Sequence, residues 1–193
     1  MSDQLQSSRN RPVGAFIGLA RRWRGDRRGT TAIEFGLVAL PFFMFVFGII
    51  MASLHHFTTN SLENAVDVAG RKIRTCQVQK NNVTVAQFKD MVHAEASGMI
   101  DKAKLRILVQ KSADWSTISP QGCVNGSGVM TTSTGSDGEL MSNYAGGAGE
   151  VVILTACYEW DMPQAFSVFN MGDLPNGSSV LQAATTFRTE PCQ

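Results

Sequence analysis

Glu34 is the only charged residue between Arg28 and His55, and it stands at the start of a long apolar run. A carboxylate at the centre of a bilayer costs about 3 kcal/mol on insertion scales, and ionisable groups retained in such segments usually carry function. Taken alone, Glu34 reads as a juxtamembrane acid resting among lipid headgroups. The four cysteines, Cys76, Cys123, Cys157 and Cys192, are spaced by 47, 34 and 35 residues. Without a Cys-x-x-Cys pair, this spacing argues against metal ligation or thiol redox catalysis. The even count suits two disulfides formed in an oxidising compartment, with three pairings open. His55 and His56 are adjacent, so on a helix their side chains project about 100° apart, which disfavours a shared metal and favours polar anchoring. His93 has no second ligand beside it and reads as a surface histidine. Asp137-Gly138-Glu139 lacks the ligand series of a calcium loop. No Ser-His-Asp set, HExxH or phosphate loop is present, so neither enzyme, metal nor cofactor is assigned.

The element that must carry Glu34 is a helix. Phe35 to Leu54 is a run of twenty uncharged residues, which as a helix spans about 30 Å, the hydrocarbon thickness of a bilayer. Pro41 lies inside it, removing a backbone donor and crowding the carbonyl of Leu37, which predicts a kink. Phe42, Phe43, Phe45 and Phe47 point all round the helix, as contact with lipid or subunits requires. Residues 1–29 hold seven arginines against Asp3 and Asp26, whereas residues 30–193 hold ten Lys/Arg against fourteen Asp/Glu. Positive charge beside a span stays cytoplasmic, so the C-terminal body is expected to be exported across the inner membrane. That setting disfavours nucleic acid as the partner of the arginines. Within the basic segment, Pro12 to Trp23 fits a short amphipathic helix on the inner membrane surface. A secretory signal peptide is disfavoured by the length of the apolar run and by the poor cleavage sequence at Met51-Ala52-Ser53-Leu54.

The N-terminal pattern is an arginine leader ending in Arg27-Arg28, then Gly29, Thr30, and Glu34-Phe35 at the head of the span. It resembles the cleavage site of type IV prepilins. Thr30 in place of phenylalanine, together with Glu34-Phe35, is most similar to the Flp/Tad branch, and within it to the TadE-like pseudopilins. Tyr158-Glu159-Trp160 followed by Pro163 resembles the aromatic-proline strand exit of those proteins, and Arg188-Thr189-Glu190-Pro191 resembles their ending. The resemblance implies a minor pilin of a Tad type IV pilus, acting in pilus assembly, adhesion and surface attachment. It implies a prepilin peptidase that cuts Gly29–Thr30, and assembly through Glu34 and Phe35. The implied partners are other Tad pilins and pseudopilins, the inner-membrane assembly platform and the lipid bilayer. Two alternatives are an unprocessed single-pass membrane protein with a partner-binding exported domain, and a type II secretion pseudopilin.

Three segments follow: a cleaved leader at 1–29, a transmembrane helix at 30–54 and an exported body at 55–193, long enough for one modest core. After Leu54 the apolar spacing of Leu62, Val66, Ala69 and Ile73 continues the helix as a stalk until Asn81-Asn82. Thr84-Val85-Ala86-Gln87 offers a capping box, with Val83 and Phe88 as a hydrophobic staple. It opens a second helix with Phe88, Met91, Val92 and Met99 on its buried face, ending at Ser97-Gly98. Lys104 to Lys111 alternates as a half-buried strand, and Val151 to Trp160 is a continuous apolar run suited to a central strand. Val180 to Arg188 alternates again. Residues 112–149 hold eight glycines and form a long loop anchored by Trp115, either a surface for partner subunits or a flexible segment. The predicted fold is α+β and pilin-like: a long N-terminal helix packed on a three-stranded antiparallel sheet with a second short helix.

Overall fold

The computed structural model describes residues 29–96, 98–165 and 172–192. The predicted amphipathic segment Pro12 to Trp23 therefore lies outside the described residues. The chain divides into two units, Met1–Ile50 and Met51–Gln193. The first described element, α1, is a helix over Thr30–Arg74, with Pro41 inside it. Four elements of the body follow in order: α2 (Gln77–Lys80), α3 (Val85–Glu95), β1 (Leu105–Ser112) and β2 (Val151–Trp160). The one-turn α4 (Met162–Ala165) and β3 (Ser179–Arg188) complete it. The fold is α+β, with the strands antiparallel in the order β1-β2-β3.

In the body, α1 buries Met51, Thr58, Leu62, Ala65, Val66, Ala69, Gly70 and Ile73. Steps of three, four and seven residues keep these positions on one face. They meet the sheet face carrying Leu105, Ile107 and Val109 of β1, Val152, Leu154, Ala156, Tyr158 and Trp160 of β2, and Leu181 and Ala183 of β3. The stalk stops earlier than the asparagines suggest. After Arg74 the backbone of Cys76 turns left-handed at φ 60°, and α2 follows as a single turn. The capping box on α3 forms as its sequence specifies: Gln87 N–H donates to Thr84 Oγ1 at 3.2 Å and Thr84 N–H donates to Gln87 Oε1 at 3.0 Å. Phe88 and Val92 are buried, and Val83 and Met91 pack against the core. Met99 does not continue that face. The helix ends at Glu95, and Met99 falls beyond it, 47% exposed.

β2 is buried along nearly its whole length because both of its faces are covered. Its even-numbered residues face the helices. On the other face, Cys157 joins Leu108 and Cys123 in a second small cluster, with Met130 and Val180 against it. Part of residues 112–149 therefore lies over the sheet as a third layer, while most residues of the segment stay exposed. The loop is not anchored by Trp115, which is 57% exposed. The Cys123–Cys157 disulfide holds it instead, with a small hairpin in which Thr131 N–H donates to the Cys123 carbonyl at 2.8 Å. Next, Ser133 Oγ and Thr134 Oγ1 accept from the N–H groups of Ile107 and Val109 at 3.2 and 2.9 Å, occupying the outer edge of β1. Finally the carbonyls of Glu139 and Asp137 accept from Val85 and Ala86 at 2.9 and 3.1 Å, satisfying N–H groups that the first turn of α3 leaves open.

Candidate functional site

Helix α1 starts at Thr30, one residue after Gly29. Gly29 is exposed, and a Cβ placed on it would meet no heavy atom within 4 Å. Packing among the described residues thus gives no reason for glycine there. Glu34 lies one turn into the helix and is exposed, and its carboxylate has no hydrogen-bond or ion-pair partner among the described residues. Phe35 beside it is 71% exposed, as are, to similar degrees, Ile33, Leu37, Val38 and Phe45. The rings of Phe42 and Phe43 meet edge-on at 5.5 Å, and those of Phe43 and Phe47 stack at 6.3 Å. The helical assignment runs through Pro41 without interruption. Among the described residues, α1 is the one helix long and apolar enough to cross a membrane.

The cysteines settle into two pairs, Cys76–Cys192 and Cys123–Cys157, with Cα separations of 5.6 and 5.5 Å. The first ties the C-terminal tail to the end of α1. Glu190 N–H donates to the Arg74 carbonyl at 3.1 Å, and the Glu190 carboxylate pairs with Arg74 Nε at 3.1 Å. The histidines are structural. His55 sits against Trp160, ring centroids 5.3 Å apart. His93 is not a bare surface residue: it is half-buried and its Nε2 donates to the Ile100 carbonyl at 2.8 Å, tying α3 to the approach of β1. Glu139, the acid of the Asp137-Gly138-Glu139 segment, accepts from Tyr144 Oη and from Ser136 N–H. Those bonds, the phenol first, hold its carboxyl below the usual range and raise the Tyr144 phenol above its own. Burial, and then the nearby Arg106, push the Lys89 ammonium down. The described residues hold no group of three His, Cys, Asp or Glu placed for a metal.

The structure thus separates the predicted site residues. Gly29, Thr30, Glu34 and Phe35 form one exposed segment at the start of α1, and the four cysteines staple the body. Sequence reasoning missed the tail contact of Glu190 with Arg74 and the use of residues 133–141 as an edge cover and helix cap. Neither has a local signal, because both partners are far apart in the chain.

A family model described as TadE-like protein matches residues 29–71. Over this segment the chain is similar to the TadE-like family. The match begins at Gly29 and takes in Glu34, Phe35, the apolar run and most of the stalk. It ends at Arg71, so Tyr158-Glu159-Trp160 and Arg188-Thr189-Glu190-Pro191 lie outside it. No curated protein and no solved structure matches the chain. The TadE-like match associates the chain with the Tad pilus system and its components in general, and the apolar helix fits a single-pass membrane protein. The TadE-like family is not known for enzymatic activity.

Proposed function

We propose that this chain is a minor pilin of a Tad type IV pilus, a substrate and structural subunit rather than an enzyme. Its arginine-rich leader stays in the cytoplasm and its body is exported to the periplasm. A prepilin peptidase cuts Gly29–Thr30. The trimmed subunit then joins other Tad pilins and pseudopilins through the inner-membrane assembly platform, serving assembly and adhesion. The observation that carries this reading is a coincidence of two positions: the TadE-like match begins at Gly29, and Glu34 falls five residues into the chain that cleavage there would leave. Glycine leaves a protease cleft unobstructed and accepts an extended backbone without steric strain. Trimming also frees an ammonium on Thr30. In an apolar filament core a lone carboxylate is costly, and one facing a neighbour's ammonium is partly compensated. Glu34 would then set the axial register between subunits.

Intact-mass measurement of the membrane-extracted protein from a competent host tests the reading. The expected chain begins at Thr30, and it begins at Met1 when the peptidase is deleted. A chain that keeps residues 1–29 in the competent host leaves an ordinary anchored domain. Glu34→Gln preserves shape and removes charge; the expected result is normal trimming with loss of piliation. Normal piliation in that variant would refute the role of Glu34.

A further inference from the structure

We propose that a groove in the body beside Leu54 takes an acyl chain of a membrane phospholipid, which gives the body a bilayer contact of its own next to the helix. The inference rests on the reading of α1 as a membrane span and does not require cleavage at Gly29.

The body starts before the apolar run stops. The second unit begins at Met51, while the uncharged run extends to Leu54. Met51 is 2% exposed and belongs to the core of the body. The last turn of the run is thus part of the body, and the residues packed around it lie at the level where the span leaves the hydrocarbon. Several pieces of the body arrive there. β2 ends at Trp160, whose ring meets His55 at 5.3 Å. Leu105, the first residue of β1, stands opposite Tyr158, so the approach to β1 lies at the same end, and α4 begins there at Met162. Between them runs a groove of about 420 Å³ lined by Leu54, Thr58, Met99, Tyr158, Trp160 and Met162, with Asp161 beside them. Every one of these residues belongs to the second unit.

The occupant follows from the lining and from its level. Met99 is 47% exposed, Leu54 and Met162 are partly exposed, and the Thr58 hydroxyl already donates to the Leu54 carbonyl at 2.9 Å. Methionine is unbranched and fits irregular apolar partners. Tryptophan and tyrosine favour the zone where a span meets water, since each ring pairs an apolar body with one polar atom. Charge does not select the partner. Lys104 is paired with Asp161 and Lys102 with Asp90, so neither lysine is free to choose an anionic headgroup. What the groove offers is apolar surface, and the residue that ends the apolar run is one of its walls. At that level the most abundant apolar groups are acyl chains.

Trp160 lines the groove and reports on it. The chain's three tryptophans are Trp23, Trp115 and Trp160, so Trp23→Phe with Trp115→Phe leaves Trp160 alone. Trp115 serves as the internal control. It follows Ser112, which stands opposite Val151 at the other end of β1, and the eight residues of that strand at ~3.3 Å each span about 25 Å. The full-length chain is placed in neutral phosphatidylcholine vesicles, with or without bromine on the upper part of the acyl chains, which quenches tryptophan on contact. The expected result is at least a twofold loss of Trp160 emission in brominated lipid, with little loss in the chain that keeps Trp115 alone. Met99→Asp and Met162→Asp, each verified to fold by both disulfides and by urea unfolding, should relieve most of the Trp160 quenching. Should Met162→Asp fail to fold, Met99→Asp decides alone, since its side chain is already exposed. Trp160 quenched no more than Trp115, or quenching that a folded groove variant does not relieve, overturns the proposal. Flotation of the same vesicles at alkaline pH reports anchoring separately. A chain that floats without Trp160 quenching loses the groove and keeps the span, whereas one that does not float overturns both.

Discussion

Gly36 and Gly70 lie on one helix. A Cβ on Gly36 would meet nothing within 4 Å, while one on Gly70 would come within 2.7 Å of Thr185 Cγ2 and 3.1 Å of Phe187 Cε1. The same contrast holds for the side chains around them. From Ile33 to Ile50 the large apolar residues are exposed, whereas from Leu62 to Ile73 the apolar face is covered by the sheet. Both stretches are apolar and both are helical, so hydrophobicity alone does not tell them apart. The distinction lies in the pattern. The first is apolar all round and is left uncovered by the other described residues. The second is apolar on one face and finds its partner in its own sheet. A change in the second half should therefore register as folding stability, and a change in the first as insertion or assembly.

The largest stability effect is expected where the body half ends. Cys76 and Cys192 close a span of 116 residues, which on the chain-entropy account restricts the unfolded state by about 5 kcal/mol. Replacing both by serine should lower the unfolding midpoint of the body sharply and loosen the Arg74–Glu190 contact, read by urea denaturation in detergent. Next comes a matched pair. Leu62→Ala opens space at a fully buried position and is expected to cost about 3 kcal/mol. Phe45→Ala removes a larger side chain from an exposed position and should leave the unfolding of the body unchanged. Equal losses in the two variants would erase the contrast between the halves.

Much of this organisation could be read in advance, and the failures share one cause. The helical spacing of Leu62, Val66, Ala69 and Ile73, the capping box at Thr84 and the apolar run at Val151 are local signals in which neighbours in sequence are neighbours in space. Met99, placed on the buried face by carrying the spacing of α3 past its end, and Trp115, placed by its apolar character alone, both proved exposed. The loop at 112–149 has no periodicity because it binds through single hydroxyls and carbonyls: Ser133 and Thr134 to β1, Asp137 and Glu139 to α3. The cysteine pairing was equally open, since a disulfide depends on approach in three dimensions. For the exposed segment at Gly29 to Phe35 the situation is reversed. Its spacing was legible, but no side chain among the other described residues packs on it, so the fold of the body adds nothing to that reading.

A finer version of the contrast uses the two glycines themselves. Gly70→Ala gains about 1 kcal/mol of helix propensity but forces the new methyl against Thr185, an overpacking cost of about 1–3 kcal/mol. The expected net loss is about 1 kcal/mol, and Thr185→Ser, which deletes the opposing methyl, should recover much of it. Gly36→Ala should leave the unfolding of the body where it is. If Gly70→Ala proves as neutral as Gly36→Ala, the close approach of α1 to β3 is not tight.

The smallest effect separates the loop layer from both halves of the helix. Tyr144 donates to the Glu139 carboxylate, raising the phenol above its usual value and lowering the carboxyl below its own. A folded-state pKa raised above the unfolded value gives stability that is complete below about 10 and fades as pH rises through the raised phenol value. A depressed carboxyl gives stability present above about 4.3 that fades as pH falls through the lowered value. The contact should therefore hold across the neutral range and weaken on both sides. Tyr144→Phe removes both limbs at once. The difference in unfolding midpoint between wild type and this variant should be greatest near neutrality and shrink below pH 4 and above pH 10. Because Glu139 is exposed, the amplitude should be small and should fall within the loop layer, with the exchange of β2 amides unaltered. A difference independent of pH would mean that Tyr144 acts through packing against Met141 and its neighbours rather than through its hydroxyl.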